Sequence, residues 1–99
     1  MTRRLTLRPQ AEADLAAIWD HTAARWSVAQ AERYLAGLGD TLALLAAHPE
    51  IARLHNTFTP PARLFPYRSH LVIFTADEAV LEVIRVVHMR SDWRGLVVE

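Results

Sequence analysis

The chain has 99 residues, of which 52% are apolar and 22% charged, the proportions of one globular domain (1–99) and not of a disordered tail or a fibrous repeat. It holds no cysteine, which excludes a disulfide scaffold, a cysteine nucleophile and a thiolate metal site. Eleven acidic residues balance eleven basic ones, all of them arginine, and arginine supplies a permanently charged planar fork suited to carboxylates and phosphates. No apolar run approaches the ~20 residues that span a bilayer. Met1-Thr2-Arg3-Arg4-Leu5 has no apolar core behind its arginines, so a secretory signal is not expected and the cytoplasm is the expected compartment.

Leu5 and Leu7 alternate with Thr6 and Arg8, a short period-2 strand that Pro9 ends. Residues 9–25 read as a helix, with Glu12 and Asp14 near its positive end and an apolar stripe through Ala11, Leu15, Ile18 and Trp19. Ser27-Val28-Ala29-Gln30 predicts a capping box opening a second helix. Its stripe runs through Ala31, Tyr34, Leu35, Leu38, Leu42 and Leu45 to His48-Pro49, where proline stops it. Gly37 and Gly39 weaken its middle and suggest close approach of the two helices. The short link predicts an antiparallel helical hairpin.

Residues 49–62 read as a loop. Strands follow at 62–67, interrupted or bulged at Pro66, at 69–76 and at 80–88. The last is apolar on both faces, as for an interior strand. A tail over 91–99 carries Trp93, Leu96, Val97 and Val98. The expected fold class is α+β, a βααβββ arrangement with a small antiparallel-rich sheet and an N-terminal helical hairpin packed on one face.

Charge is uneven along the chain. Residues 51–76 carry Arg53, Arg63 and Arg68 with no acid, and 83–95 carry Arg85, Arg90 and Arg94 against Asp92 alone, which predicts a positive face. The five histidines (21, 48, 55, 70 and 88) show no metal-ligand spacing, so no metal and no cofactor is expected. His21 and His48 read as surface or capping residues. His70 begins one strand and His88 ends the next, so an antiparallel pairing makes them neighbours, with Arg68 and Arg90 close by. Such a cluster suits an anion or RNA site, since histidine moves protons near neutral pH and arginine stabilises phosphate charge; it also suits a purely structural contact. Trp93 serves either as a platform for a base or partner, or as a cap on the sheet edge.

Three stretches together resemble the ParE/RelE superfamily of toxin–antitoxin toxins, the ParE branch in particular. They are Leu7-x-Pro9-x-Ala11-x-x-Asp14-Leu15-x-x-Ile18-Trp19; Trp26-Ser27-x-x-Gln30-Ala31-x-x-Tyr34 through His48-Pro49; and Tyr67-Arg68-Ser69-His70-Leu71-Val72-Ile73-Phe74 with Ile84-Arg85-Val86-Val87-His88-x-Arg90-x-Asp92. The resemblance implies a toxin of a type II system, neutralised by a cognate ParD-like antitoxin in a hetero-oligomer, acting on DNA gyrase, with no membrane and no direct sequence-specific DNA binding. It leaves two alternatives: a ribosome-dependent mRNA endonuclease using His70, His88 and Arg90, and a degenerate member that only binds antitoxin. Against the nuclease branch, Arg63, His70 and Arg90 fall near its basic positions, but Leu96 stands where its tyrosine would be. On this reading Trp19, Tyr34 and Leu38 line an antitoxin groove, Arg53, Arg63 and Arg68 steer an acidic segment, and Arg90, Trp93 and Arg94 in an exposed tail contact the target.

Overall fold

The computed structural model describes residues 2–96, so Val97 and Val98 of the expected tail lie outside the described residues. The elements are β1 (Arg4–Leu7), α1 (Pro9–Arg25), α2 (Val28–Ala47), a 3-10 turn (Pro49–Ile51), β2 (Arg53–His55), β3 (Ala62–Tyr67), β4 (His70–Ala76), β5 (Val80–His88) and a second 3-10 turn (Trp93–Gly95). The α+β class and the helical hairpin match the expectation. The sheet has five strands in the order β1-β5-β4-β3-β2, with β1 parallel to β5 and the other pairs antiparallel. The added strand, β2, lies inside the expected loop, and three residues are too few for a period-2 pattern to stand out.

Local chemistry explains the helix boundaries. Pro9 opens α1 behind an extended Arg8, where its fixed φ is already helical. Ser27 Oγ accepts the Gln30 N–H at 3.0 Å. Gln30 does not close the box as expected, because its Oε1 accepts from Arg33 Nη2 at 2.9 Å. Gly37 has a role other than letting the helices meet. The Tyr67 ring lies against it so closely that a Cβ there would fall 2.2 Å from the phenol oxygen, whereas Gly39 faces open space.

Pro66 does not interrupt β3: it pairs with Leu71, and the register runs on to Tyr67 and His70. β2 pairs with β3 only as far as Leu64, so the side from which proline withholds an N–H has no strand neighbour there. Arg68 turns the hairpin with φ 50°, the left-handed region that two-residue hairpins require. The bulge lies elsewhere. Ile73 pairs with Arg85 but Phe74 with Val83, which leaves Ile84 as the extra residue of β5.

The sheet is buried on both faces. Val72 and Phe74 of β4, with Leu81, Val83 and Val86 of β5, meet Ala11, Ile18, Leu38, Leu42 and Leu45 of the hairpin. Leu71 and Ile73, with Ile84 and Val87, form a second core with Phe58, Leu64 and Trp93. That second face has no helix; the segment around Phe58 and the Trp93 turn cover it. Trp93 is 9% exposed and lies 6.1 Å from the Phe58 ring and 5.6 Å from His55. It is the sheet cap, and the picture of a free tail beyond the last strand is corrected accordingly. Among the described residues no helix is long and apolar enough to cross a membrane.

Trp93→Ala should therefore lower the unfolding free energy by about 3 kcal/mol, the usual cost of deleting a large aromatic from a core. Urea denaturation followed by circular dichroism checks this; an unchanged midpoint would return Trp93 to the role of a free surface residue.

Candidate functional site

One carboxylate organises the end of the sheet where the functional candidates gather. β1 accompanies β5 only to the Leu7–Val83 pair, so the second half of β5 has an open edge beneath α1. Asp14 closes it. Its Oδ2 accepts the Val86 N–H at 2.9 Å, and its two oxygens take Arg85 Nε at 2.8 Å and Nη2 at 3.0 Å. The bulge at Ile84 turns Arg85 from the Ile73 face towards the helix. This bidentate pair holds Arg85 more firmly protonated than usual, the hydrogen bond to Asp14 being the first cause. Asp14 is thus a tether, not the helix-end charge expected from its position.

Beside the tether, α1, α2 and the ends of β4 and β5 enclose a groove of about 680 Å³. His70 and His88 face each other across the β4–β5 pair, as their places at the strand ends predict, with ring centres 5.4 Å apart. Tyr34 Oη lies 2.6 Å from His70 Nδ1 and 3.3 Å from Ser69 Oγ. Tyr67 Oη donates to the Tyr34 carbonyl at 2.9 Å, through the gap left at Gly37. The His88 Nδ1 accepts the Arg90 N–H at 3.0 Å, so neutral His88 carries its proton on Nε2. His70 is held below the usual histidine pKa by burial first, then by His88 and His21, with Asp14 opposing.

The structure brings some predicted residues together and separates others. Arg85 lines the groove but is engaged by Asp14. Arg90 and Arg94 are exposed, and the Arg94 guanidinium lies 4.4 Å from the Trp93 ring centre. Of the expected antitoxin groove only Tyr34 lines the observed one. Leu38 is 1% exposed and belongs to the core, and Trp19 is half-buried outside the groove. The three arginines of the expected positive face do not share a face. Arg53 pairs with Leu64 and Leu54 with Arg63, so alternation points Arg53 and Arg63 to opposite sides. Arg63 Nη1 donates to the Ala52 carbonyl at 2.7 Å. Arg68 sits at the far end of β3, 5.7 Å from the Tyr67 ring centre.

His21, Arg25 and Trp26 line the groove without having been assigned to a site from the sequence. His21 is an exposed residue, as expected, and Trp26 is 70% exposed at the hairpin turn. The signal for His21 was available: Asp14, Ile18, His21 and Arg25 recur at helical spacing on one face of α1. Among the described residues no three His, Asp or Glu side chains are placed to hold a metal ion.

A family model for the ParE toxin of the type II parDE toxin–antitoxin system matches residues 5–93. Toxin ParE1 of Mycobacterium tuberculosis is 39% identical over 93 residues, 93% of this chain and 95% of the relative. Toxin ParE1 of Caulobacter vibrioides is 33% identical over 89 residues, 90% of this chain and 92% of the relative. A solved structure of a chromosomal ParDE system from P. aeruginosa superposes with a TM-score of 0.76 at 16% identity, over 90% of this chain and 98% of that one; at that identity the likeness concerns the fold.

Asp14→Ala leaves both a half-buried guanidinium and the Val86 N–H without a partner, and should destabilise the domain by about 2 kcal/mol. Arg85→Leu in the same chain should recover part of that loss, which a double-mutant cycle in urea measures. The depressed His70 pKa has a definite sign. The unfolded chain binds more protons between the folded-state pKa and about 6.5, so stability present above that range falls as pH drops through it. Histidine NMR titration should place His70 below an ordinary imidazole, and His88→Ala should move it upward. A His70 signal at or above the usual value would refute the coupling.

Proposed function

The chain belongs to the ParE toxin family of type II toxin–antitoxin systems, and from that membership we propose that it acts in the cytoplasm by binding and inhibiting DNA gyrase, with no covalent chemistry of its own. A ParD-like antitoxin holds it inactive in a hetero-oligomer. One observation carries the choice of a binding inhibitor over a nuclease: Arg63 and Arg85, which would clamp a phosphate beside the His70–His88 pair, are withdrawn or engaged. Arg63 pairs with Phe74 whereas His70 pairs with Tyr67, four residues or about 13 Å apart along the strands. The Arg63 guanidinium is also bound to a backbone carbonyl, and of the two arginines that line the groove, Arg85 is neutralised by Asp14 and Arg25 lies at the hairpin end beside Trp26. A phosphate beside His70 would therefore meet neither Arg63 nor a free Arg85, and cleavage depends on cations aimed at the developing charge.

The His70–His88 pair is the observation that favours the mRNA endonuclease reading, because a neutral imidazole beside a second one suits proton transfer. It supplies a base without the phosphate clamp. For the target surface we assign Arg90 and Arg94, the exposed cations on either side of the buried Trp93, which anchors the segment that displays them. Interface energy concentrates in such arginines when a rigid base holds them.

Expression of the toxin without antitoxin should inhibit gyrase supercoiling, and reversal of both charges in Arg90→Glu/Arg94→Glu should weaken that inhibition at least about tenfold. A supercoiling assay with purified gyrase reads the effect. Unaffected gyrase, together with rapid cleavage of translated mRNA, would replace this reading with the endonuclease one.

A further inference from the structure

The most exposed large apolar side chain among the described residues stands at the mouth of the groove. Trp26 is 70% exposed, and Val28 beside it is 56% exposed. The Arg25 guanidinium lies 5.8 Å from the indole centre. Behind this lip the floor is apolar, through Ile18 and Val86, while the walls carry titrating groups. Those facing inward are Asp14, His21 and Arg25 from α1 and Tyr34 from α2. From the sheet come His70 of β4, with Arg85 and His88 of β5. Asp14 and Arg85 cancel each other. What remains is one arginine with no carboxylate at ion-pair distance among the described residues, and three imidazoles.

We propose that this groove captures an acidic segment of the antitoxin, an apolar side chain seated on Trp26 and Ile18 with a carboxylate reaching the imidazoles, and takes up a proton as it does so. This rests on the antitoxin reading above and adds where and how capture occurs. The charge balance selects the occupant: an acidic group is matched by Arg25 and by whichever imidazole is protonated, whereas a basic one meets Arg25 and a carboxylate already engaged by Arg85. In the empty groove, charging His70 is opposed by burial first and then by the neighbouring His88 and His21. A carboxylate among them reverses that preference, so ligand and proton reinforce each other's binding. Affinity for antitoxin accordingly rises as pH falls through the histidine range, opposite in sign to the stability of the free toxin.

Isothermal titration of the full-length toxin into its full-length cognate antitoxin, in Pipes and in Tris at pH 6.5 and 7.5, tests this. The buffer dependence of the heat should report uptake of roughly half to one proton, and affinity should rise about threefold to tenfold per pH unit downward. His88→Gln should reduce the uptake. Trp26→Ala, which removes an exposed ring and leaves the core intact, should weaken binding at least about tenfold. Tight binding with no proton uptake would overturn the proposal and leave the toxin–antitoxin reading standing. A Trp26→Ala toxin that keeps its antitoxin affinity but no longer inhibits gyrase would also overturn it, by giving the groove to the target. No binding of the antitoxin at either pH would refute the antitoxin reading itself.

Discussion

The arrangement of this protein depends on one carboxylate with three partners. β5 is the strand to which α1 is packed, yet its parallel partner β1 ends at Val83 and leaves the next residues with unpaired backbone at an edge. An open edge of this kind costs free energy when covered by a helix unless its donors are satisfied. Asp14 satisfies the Val86 N–H directly, and the bulge at Ile84 delivers Arg85 to neutralise the carboxylate that does so. Removing any one of the three leaves the others worse off than in water. The pair also ties α1 to β5 beside the cleft that His21, His70 and His88 line.

The same geometry explains which parts of the fold were legible in the sequence. Both helices announce themselves through Pro9, Ser27 and Pro49 and through stripes of helical period, because these are local rules. The His70–His88 neighbourhood was equally readable, since a tight turn fixes antiparallel register. What escaped depends on contacts distant in sequence. β2 owes its existence to β3 and carries too few residues to show alternation. The role of Gly37 requires Tyr67, thirty residues on, to lie against it. Pro66 looks disruptive until the missing strand neighbour on that side is known. The supposed positive face failed for a different reason: a tally along the chain ignores the pleat, which sends Arg53 and Arg63 to opposite sides.

Burial of both sheet faces limits where this small domain can meet other molecules. The helical hairpin covers one face of the central strands, and Phe58 and Trp93 seal the other, so β4 and β5 offer no open face to a flat partner or a nucleic acid backbone. Contact is left to the perimeter: the hairpin turn with Trp26, the ends of β4 and β5, and the cations around the last 3-10 turn. The cleft and the Arg90–Arg94 segment flank the same end of β5, which places the antitoxin-facing and target-facing surfaces proposed here close enough for one partner to exclude the other.

The position of Trp93 bears on how such a gene can lose its activity. A late stop codon is ordinarily the mildest way to trim a protein, and a host under selection to escape a toxin has many such codons within reach. Here a stop before Trp93 uncovers Phe58, Ile73 and Val87 together, so such a truncation opens the second core and does not merely trim a free tail. On the assignment proposed above, a surface change at Arg90 or Arg94 spares this core, whereas late truncation removes part of it.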